Sequence, residues 1–349
     1  MPFTAEQIEQ VANSTLDFYM DRSKKPVQQH IQEKPLLSKL RGMQKSIPGG
    51  QGRVSMPVVL ETASTLQGFQ YDDTVTYGSP AKNRRVSYPF RLFHIGIQTT
   101  MHELLHDGIS VTDSEDGKGH SEHSDRELVR LTDIFENKVR DMDEGFNKDL
   151  NTLFWRDGTQ AALAFPGITS IIVDVPTAGT IVGGIDQAAN TKWQNRADLA
   201  INLGASADTQ AVLRTLDLEL PQLRRYGGKP NYAMCGSAFI DRIKAEQRAK
   251  GYFTQTGWDK KMELSVADAC FNGLDFFYDP TLDDLGYSKR CYIMELGPNG
   301  IFPFIVEGED EKKHNPSRPE DKYVFYMAKT WVGGLAAKRR NGCGVYAFT

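Results

Sequence analysis

The chain has 349 residues, 40% of them hydrophobic and 25% charged, with a formal net charge of −4. That length supports one large or two ordinary domains with a real core in each, and the composition is that of a soluble globular protein. Nothing in this mildly acidic balance suggests an electrostatic grip on nucleic acid. The four scattered cysteines, Cys235, Cys270, Cys291 and Cys343, lack the C-x-x-C spacing of structural zinc or of a redox dithiol. The first residues carry no basic-then-apolar leader, and no apolar run approaches the roughly 18 residues of a membrane span. A soluble, unexported protein is expected.

In chain order, residues 4–20 read as an amphipathic helix capped by Thr4, with Ile8, Val11, Leu16 and Tyr19 on one side. The Lys- and Pro-rich stretch that follows, up to the Gly49-Gly50 turn, is too polar for a core. It reads as an arm, either flexible or ordered only on another subunit, with Leu36, Leu37 and Leu40 as anchors. Arg53 to Glu61 and Arg84 to Gln98 read as two long strands joined by a polar, turn-rich tip. Pro57 and Pro89 cannot donate to a ladder, so this hairpin should project rather than sit inside a sheet.

The clearest helix is expected over Ser121–Trp155, with Leu128, Leu131, Ile134, Val139, Met142, Phe146, Leu150 and Leu153 in one stripe and a Ser124/Glu127 capping box. From about residue 166 to 300 strands and helices mix without a βαβ beat, which makes the fold class α+β. Helices are expected in SADTQAVLRTLDLELPQLRRYGG and SAFIDRIKAEQRAKG, and strands in YAMCG, FNGLDFFYD and RCYIMEL. The end reads as three strands around a charged loop.

One segment looks catalytic. His102-Glu103-Leu104-Leu105-His106 matches H-E-x-x-H, in which two histidines one turn apart bind zinc and the glutamate activates water. A zinc metallopeptidase is therefore one reading of the chain. The context opposes it: Thr99 or Thr100 starts the segment and Asp107-Gly108 stops it, leaving barely two turns, and Thr112 stands where a third histidine would extend the motif. His120 and His123 read as a solvated loop. The glycines at 179, 183 and 184 lack the Gly-Lys-Ser/Thr of a phosphate cradle. Lys338-Arg339-Arg340 reads as a surface or interface cluster. No catalytic, cofactor-binding or metal residue is assigned, and no cofactor.

The order of these elements resembles the Hong Kong 97-type fold of tailed-bacteriophage major capsid proteins over essentially the whole chain. LLSKLRGMQKSIPGGQGRVSMPVV is similar to the arm-to-hairpin passage of that family. Gly183-Gly184-Ile185-Asp186 followed by Trp193-Gln194-Asn195 resembles a recurrent passage of one subgroup. FNGLDFFYDP, Cys291-Tyr292 and Asp321 to Met327 look like the closing strands. The resemblance implies an N-terminal arm over 1–51 and an E-loop hairpin over 52–98. It further implies a P-domain over 99–165 with a spine helix at about 121–156, an A-domain over 166–300, and returning strands over 301–349. It implies a shell protein and no enzyme, assembling with itself as pentamers and hexamers in the virion after synthesis in the host cytoplasm. A separate scaffolding protein, a portal and possibly a decoration protein are its expected partners, with packaged double-stranded DNA enclosed without sequence specificity and no membrane. An encapsulin-like compartment shell is the alternative on the same fold. The expected intersubunit contacts are Tyr71, Asp72, Asp73, Lys82, Arg84 and Arg85 of the hairpin. Lysine–asparagine cross-links of the kind some members form are not expected, because Tyr326 stands at the asparagine position.

Overall fold

A computed structural model describes residues 31–49, 52–61, 64, 66–77, 83–106, 125–203, 210–249, 269–314 and 324–349. Residues 1–32 form a unit of their own, and every element below belongs to 33–349. The helix expected over 4–20, the His120/His123 loop, Lys82, Ser124 and the side chain of Glu127 lie outside the described residues.

The first half contains α1 (Pro35–Arg41), β1 (Lys45–Ile47), β2 (Arg53–Val59), β3 (Asn83–Pro89), β4 (Arg91–Thr100), α2 (Met101–His106), α3 (Asp125–Trp155) and α4 (Ile168–Ile171). Next come β5 (Ile181–Val182), β6 (Ile185–Asp186), β7 (Arg196–Ile201), α5 (Ala211–Arg224), β8 (Tyr232–Cys235), α6 (Ser237–Ala249), β9 (Ala269–Phe271) and β10 (Leu274–Tyr278). The chain ends with α7 (Pro280–Asp284), β11 (Arg290–Met294), β12 (Ile301–Val306), β13 (Lys312–His314), β14 (Val324–Ala337) and β15 (Gly344–Phe348).

Two sheets organise the molecule. In the five-stranded one, β14 is the spine: β4 pairs along one side of it, from Val324↔Thr100 to Gly333↔Arg91, while β12 and β13 share the other and β1 adds in parallel to β12. The 31-residue α3 packs here. At about 1.5 Å per residue it is a rod of about 46 Å. Met142, Phe146, Leu150 and Phe154, each four residues apart, are its buried stripe, as the i,i+4 geometry of a helix face requires. Leu153 is only half-buried, and Phe154 and Trp155 take the core positions at that end. Phe154 meets Trp331 of β14 edge-on at 6.2 Å. Lys329, 4% exposed on β14, is held by Asp143 of α3 at 2.5 Å and by Glu311 at 3.1 Å, so this buried cation is paired.

The second sheet runs β7-β15-β11-β8-β10-β9. Val212, Leu216, Leu220 and Leu223 of α5 and Phe239, Ile240 and Ile243 of α6 cover it with a separate apolar cluster. The first turn of α5 receives its cap from outside: the buried Glu246 carboxylate accepts from Val212 N at 3.3 Å and Leu213 N at 2.9 Å, which answers two of the helix's unpaired N–H groups.

Three expectations are corrected. Leu36, Leu37 and Leu40 are 0%, 3% and 1% exposed within their own chain, and Asn151 of α3 accepts from Leu37 N at 3.2 Å. The segment from Pro35 to Ile47 is thus docked on its own subunit, because three leucines on one short helix outweigh the lysines around them. The single strand expected over 84–98 is two strands that part at Phe90: β3 stays in the hairpin and β4 joins β14. FNGLDFFYD is a hairpin, not one strand. Asn272 and Gly273 at φ +50° and +75° turn β9 into β10, the positive-φ pair that a tight hairpin needs. The closing region adds β13 inside what reads as a charged loop.

Candidate functional site

The hairpin is the element whose surface chemistry its own chain leaves unanswered. β2 and β3 pair over seven positions, from Arg53↔Pro89 to Val59↔Asn83, as a two-stranded sheet. Pro57 and Pro89 remove ladder donors, which suits a ribbon with no third strand. One face of its base is buried: Met56 is 7% exposed, Val86 0% and Tyr88 1%. That face is tied down where Ser87 N donates to Gly183 O at 2.9 Å. Gly183 and Gly184, at φ +61° and +84°, make the turn between β5 and β6, and a side chain at 183 would stand 2.9 Å from the Tyr88 hydroxyl. The glycines serve backbone approach, not a phosphate.

From Leu66 to Tyr77 the described apolar side chains of the loop are exposed. Leu66 and Tyr71 are fully exposed, Tyr77 is 94% exposed, and Val59 and Phe69 are 68% and 64% exposed. Isolated exposed apolar residues are ordinary, but several in one loop make it a candidate contact surface. The charges expected to make contacts are exposed where they are described. Asp72 and Asp73 are both exposed, and Asp73 also accepts from Gln70 N at 2.9 Å within the loop's own turn. Arg84 and Arg85 are exposed on β3, opposite Val58 and Pro57. Apart from Tyr71, the exposed apolar residues are what a reading of this tip as polar overlooks. Their signal is the spacing of Leu66, Phe69, Tyr71, Val75 and Tyr77.

The catalytic-looking motif lies on α2, a two-turn helix entered through Thr100, whose Oγ1 accepts from Glu103 N at 3.2 Å. His102 and His106 are exposed, with their Nε2 atoms 3.1 Å apart. Glu103 instead reaches Lys138 of α3 at 2.7 Å, and that hydrogen bond holds its carboxyl below the usual range. A water-activating glutamate needs the opposite shift. Among the described residues no three metal-ligating side chains converge.

Arg340 departs from the surface cluster expected of its neighbours. It is 1% exposed. Its Nε donates to Ile171 O at 2.7 Å, one terminal nitrogen to Trp193 O at 2.9 Å, and the other to Gln187 Oε1 at 3.2 Å and Asn195 Oδ1 at 3.0 Å. The turn between β14 and β15 is thereby locked to the segment that carries the β5–β6 hairpin. Burial draws this guanidinium down to about 10, so it is charged at any working pH. Among the described residues no helix is long and apolar enough to cross a membrane.

No family model matches the chain, and no curated protein matches its sequence. Solved structures do. The capsid subunit of cyanophage A-1(L) matches at 13% identity and TM-score 0.59, covering 93% of this chain and 95% of that one. The capsid of Myoviridae phage XM1 matches at 12% and 0.58, covering 95% and 98%. The structure of Microbacterium phage Oxtober96 matches at 12% and 0.55, covering 93% and 94%. With nearly complete mutual coverage, the chain has the α+β fold of these phage capsid subunits, the Hong Kong 97-type fold.

Proposed function

We propose that this chain is a major capsid protein that assembles with copies of itself into an icosahedral shell around double-stranded phage DNA. The observation that carries the reading is the hairpin, clamped at its base and exposing Leu66, Phe69, Tyr71 and Tyr77 at its tip. Covering one such side chain contributes about 1.5–3 kcal/mol. A ring of identical subunits repeats the contact at every interface, each hairpin lying on the next copy. Tyr71, Asp72 and Asp73 at the tip and Arg84 and Arg85 along β3 are the assigned contact residues, with Lys82 between them in sequence; exposed ion pairs add only about 0–1 kcal/mol each and set register more than strength. Pentamers and hexamers, a scaffolding protein, a portal and a virion location belong to the same reading. An enzymatic role does not, since Glu103 is committed to Lys138.

Replacing residues 70–83 with a short Gly-Ser turn tests this. The variant should remain folded, with an unchanged circular dichroism spectrum, and should form no closed particles in electron micrographs when co-expressed with the scaffold. Regular shells from the variant would remove the hairpin from the interface. Loss of folding would mean that the loop belongs to the subunit's own core.

A further inference from the structure

The two histidines of α2 have a geometry that the shell reading does not use. His102 and His106, one helical turn apart, present their Nε2 atoms to each other at 3.1 Å, with the rings nearly perpendicular and their centroids 4.5 Å apart. A zinc–imidazole bond is about 2.0–2.1 Å, so two of them meeting at 90–110° place the nitrogens about 2.9–3.4 Å apart. The observed separation falls inside that interval. Both rings are exposed, so an ion reaches them without opening the fold. Glu103 is drawn to Lys138 on α3 and stands outside the pair.

We propose that His102 and His106 form a two-ligand clip for a borderline divalent transition-metal ion such as zinc or nickel. Imidazole suits these ions, whereas magnesium requires oxygen ligands. With two protein ligands, the ion keeps at least two coordination positions for water. The clip is a binding site and not a hydrolase, and it replaces the sequence-based expectation that these histidines hold no metal.

Titration of the full-length, unassembled chain with zinc chloride or nickel chloride in a calorimeter tests it. One ion should bind per chain, and magnesium chloride should give no heat at the site. His102→Ala and His106→Ala should each weaken binding by at least the 10- to 100-fold expected for loss of a mere outer-shell partner. Glu103→Gln should leave the affinity unchanged. Should alanine disturb so short a helix, His102→Gln and His106→Gln keep helix propensity while removing the ligand nitrogen, and must give the same loss. Stoichiometric binding that persists in the double variant places the ion on other histidines and overturns the proposal. No binding to the wild-type chain overturns it as well.

Discussion

Substituting lysine for Arg340 should destabilise the subunit although the charge is kept. The planar guanidinium places four bonds on acceptors that diverge: Ile171 O, Trp193 O, Gln187 Oε1 and Asn195 Oδ1. An ammonium has three donors on one compact atom and cannot span that fork. One or two buried acceptors are then left without a donor, at about 1–3 kcal/mol each, so the loss should be about 2–4 kcal/mol. Asn195 cannot turn to compensate, because its amide also bonds Val173 N, Val173 O and Arg196 O. Arg340→Met removes all four bonds, leaves Asn195 Oδ1 only its bond from Val173 N, and should be worse still. Thermal unfolding of the unassembled subunit reads this directly. At on the order of 2 °C per kcal/mol for a chain of this size, the lysine variant should melt about 4–8 °C lower. A lysine variant within 0.5 °C of wild type, or a methionine variant more stable than the lysine one, would falsify the claim that the fork holds the β14–β15 turn.

Gly183→Ala should cost about 1–3 kcal/mol, since φ is +61° and the new Cβ meets the buried Tyr88 hydroxyl at 2.9 Å. Gly184→Ala, with nothing within 4 Å, should cost only the backbone share, and equal melting shifts for the two would refute this. Asp279 caps α7 through Thr281 N and accepts from Trp155 Nε1 at 2.8 Å, and burial raises its carboxyl above the ordinary range. A raised folded-state value means that its contribution is fully present below the ordinary carboxylate range and is lost as the pH rises through the folded-state value. The stability gap between wild type and Asp279→Asn, read from urea midpoints, should therefore narrow from about pH 4 upward; a widening gap contradicts it. Boiled, reduced particles should run on a denaturing gel as a single monomer band, because Tyr326 of β14 lies opposite Gln98 and offers no amide for a cross-link. A heat-stable ladder would show otherwise.

Periodicity made the long helix, α5 and α6 legible, because each buries a stripe that repeats in sequence. The change of sheet at Phe90 was not legible, since β3 and β4 both alternate and the alternation runs on through the break. The turn at Asn272-Gly273 was missed, because the apolar residues around it suggest one continuous strand. Arg340 could not be found locally. Its acceptors lie 145 to 169 positions away in sequence, and its neighbours Lys338 and Arg339 suggest a solvated face. At the hairpin, Tyr71 was named from sequence, but averaging over a polar segment hid Leu66, Phe69, Val75 and Tyr77, whose exposure only the fold reveals.

The placement of β14 and β15 governs when the subunit can exist at all. β15, the last strand, lies between β7 and β11, and β14 lies between β4 and β12, with Val324 paired to Thr100. Both sheets therefore wait for residues 324–349, and pairings this distant in sequence close slowly. A chain still on the ribosome lacks β14 from one sheet and, from the other, β15, which joins β7 to β11-β8-β10-β9. Under the shell reading proposed above, this ties assembly to the completion of translation: C-terminally truncated chains should lack the finished surface and be absent from purified particles.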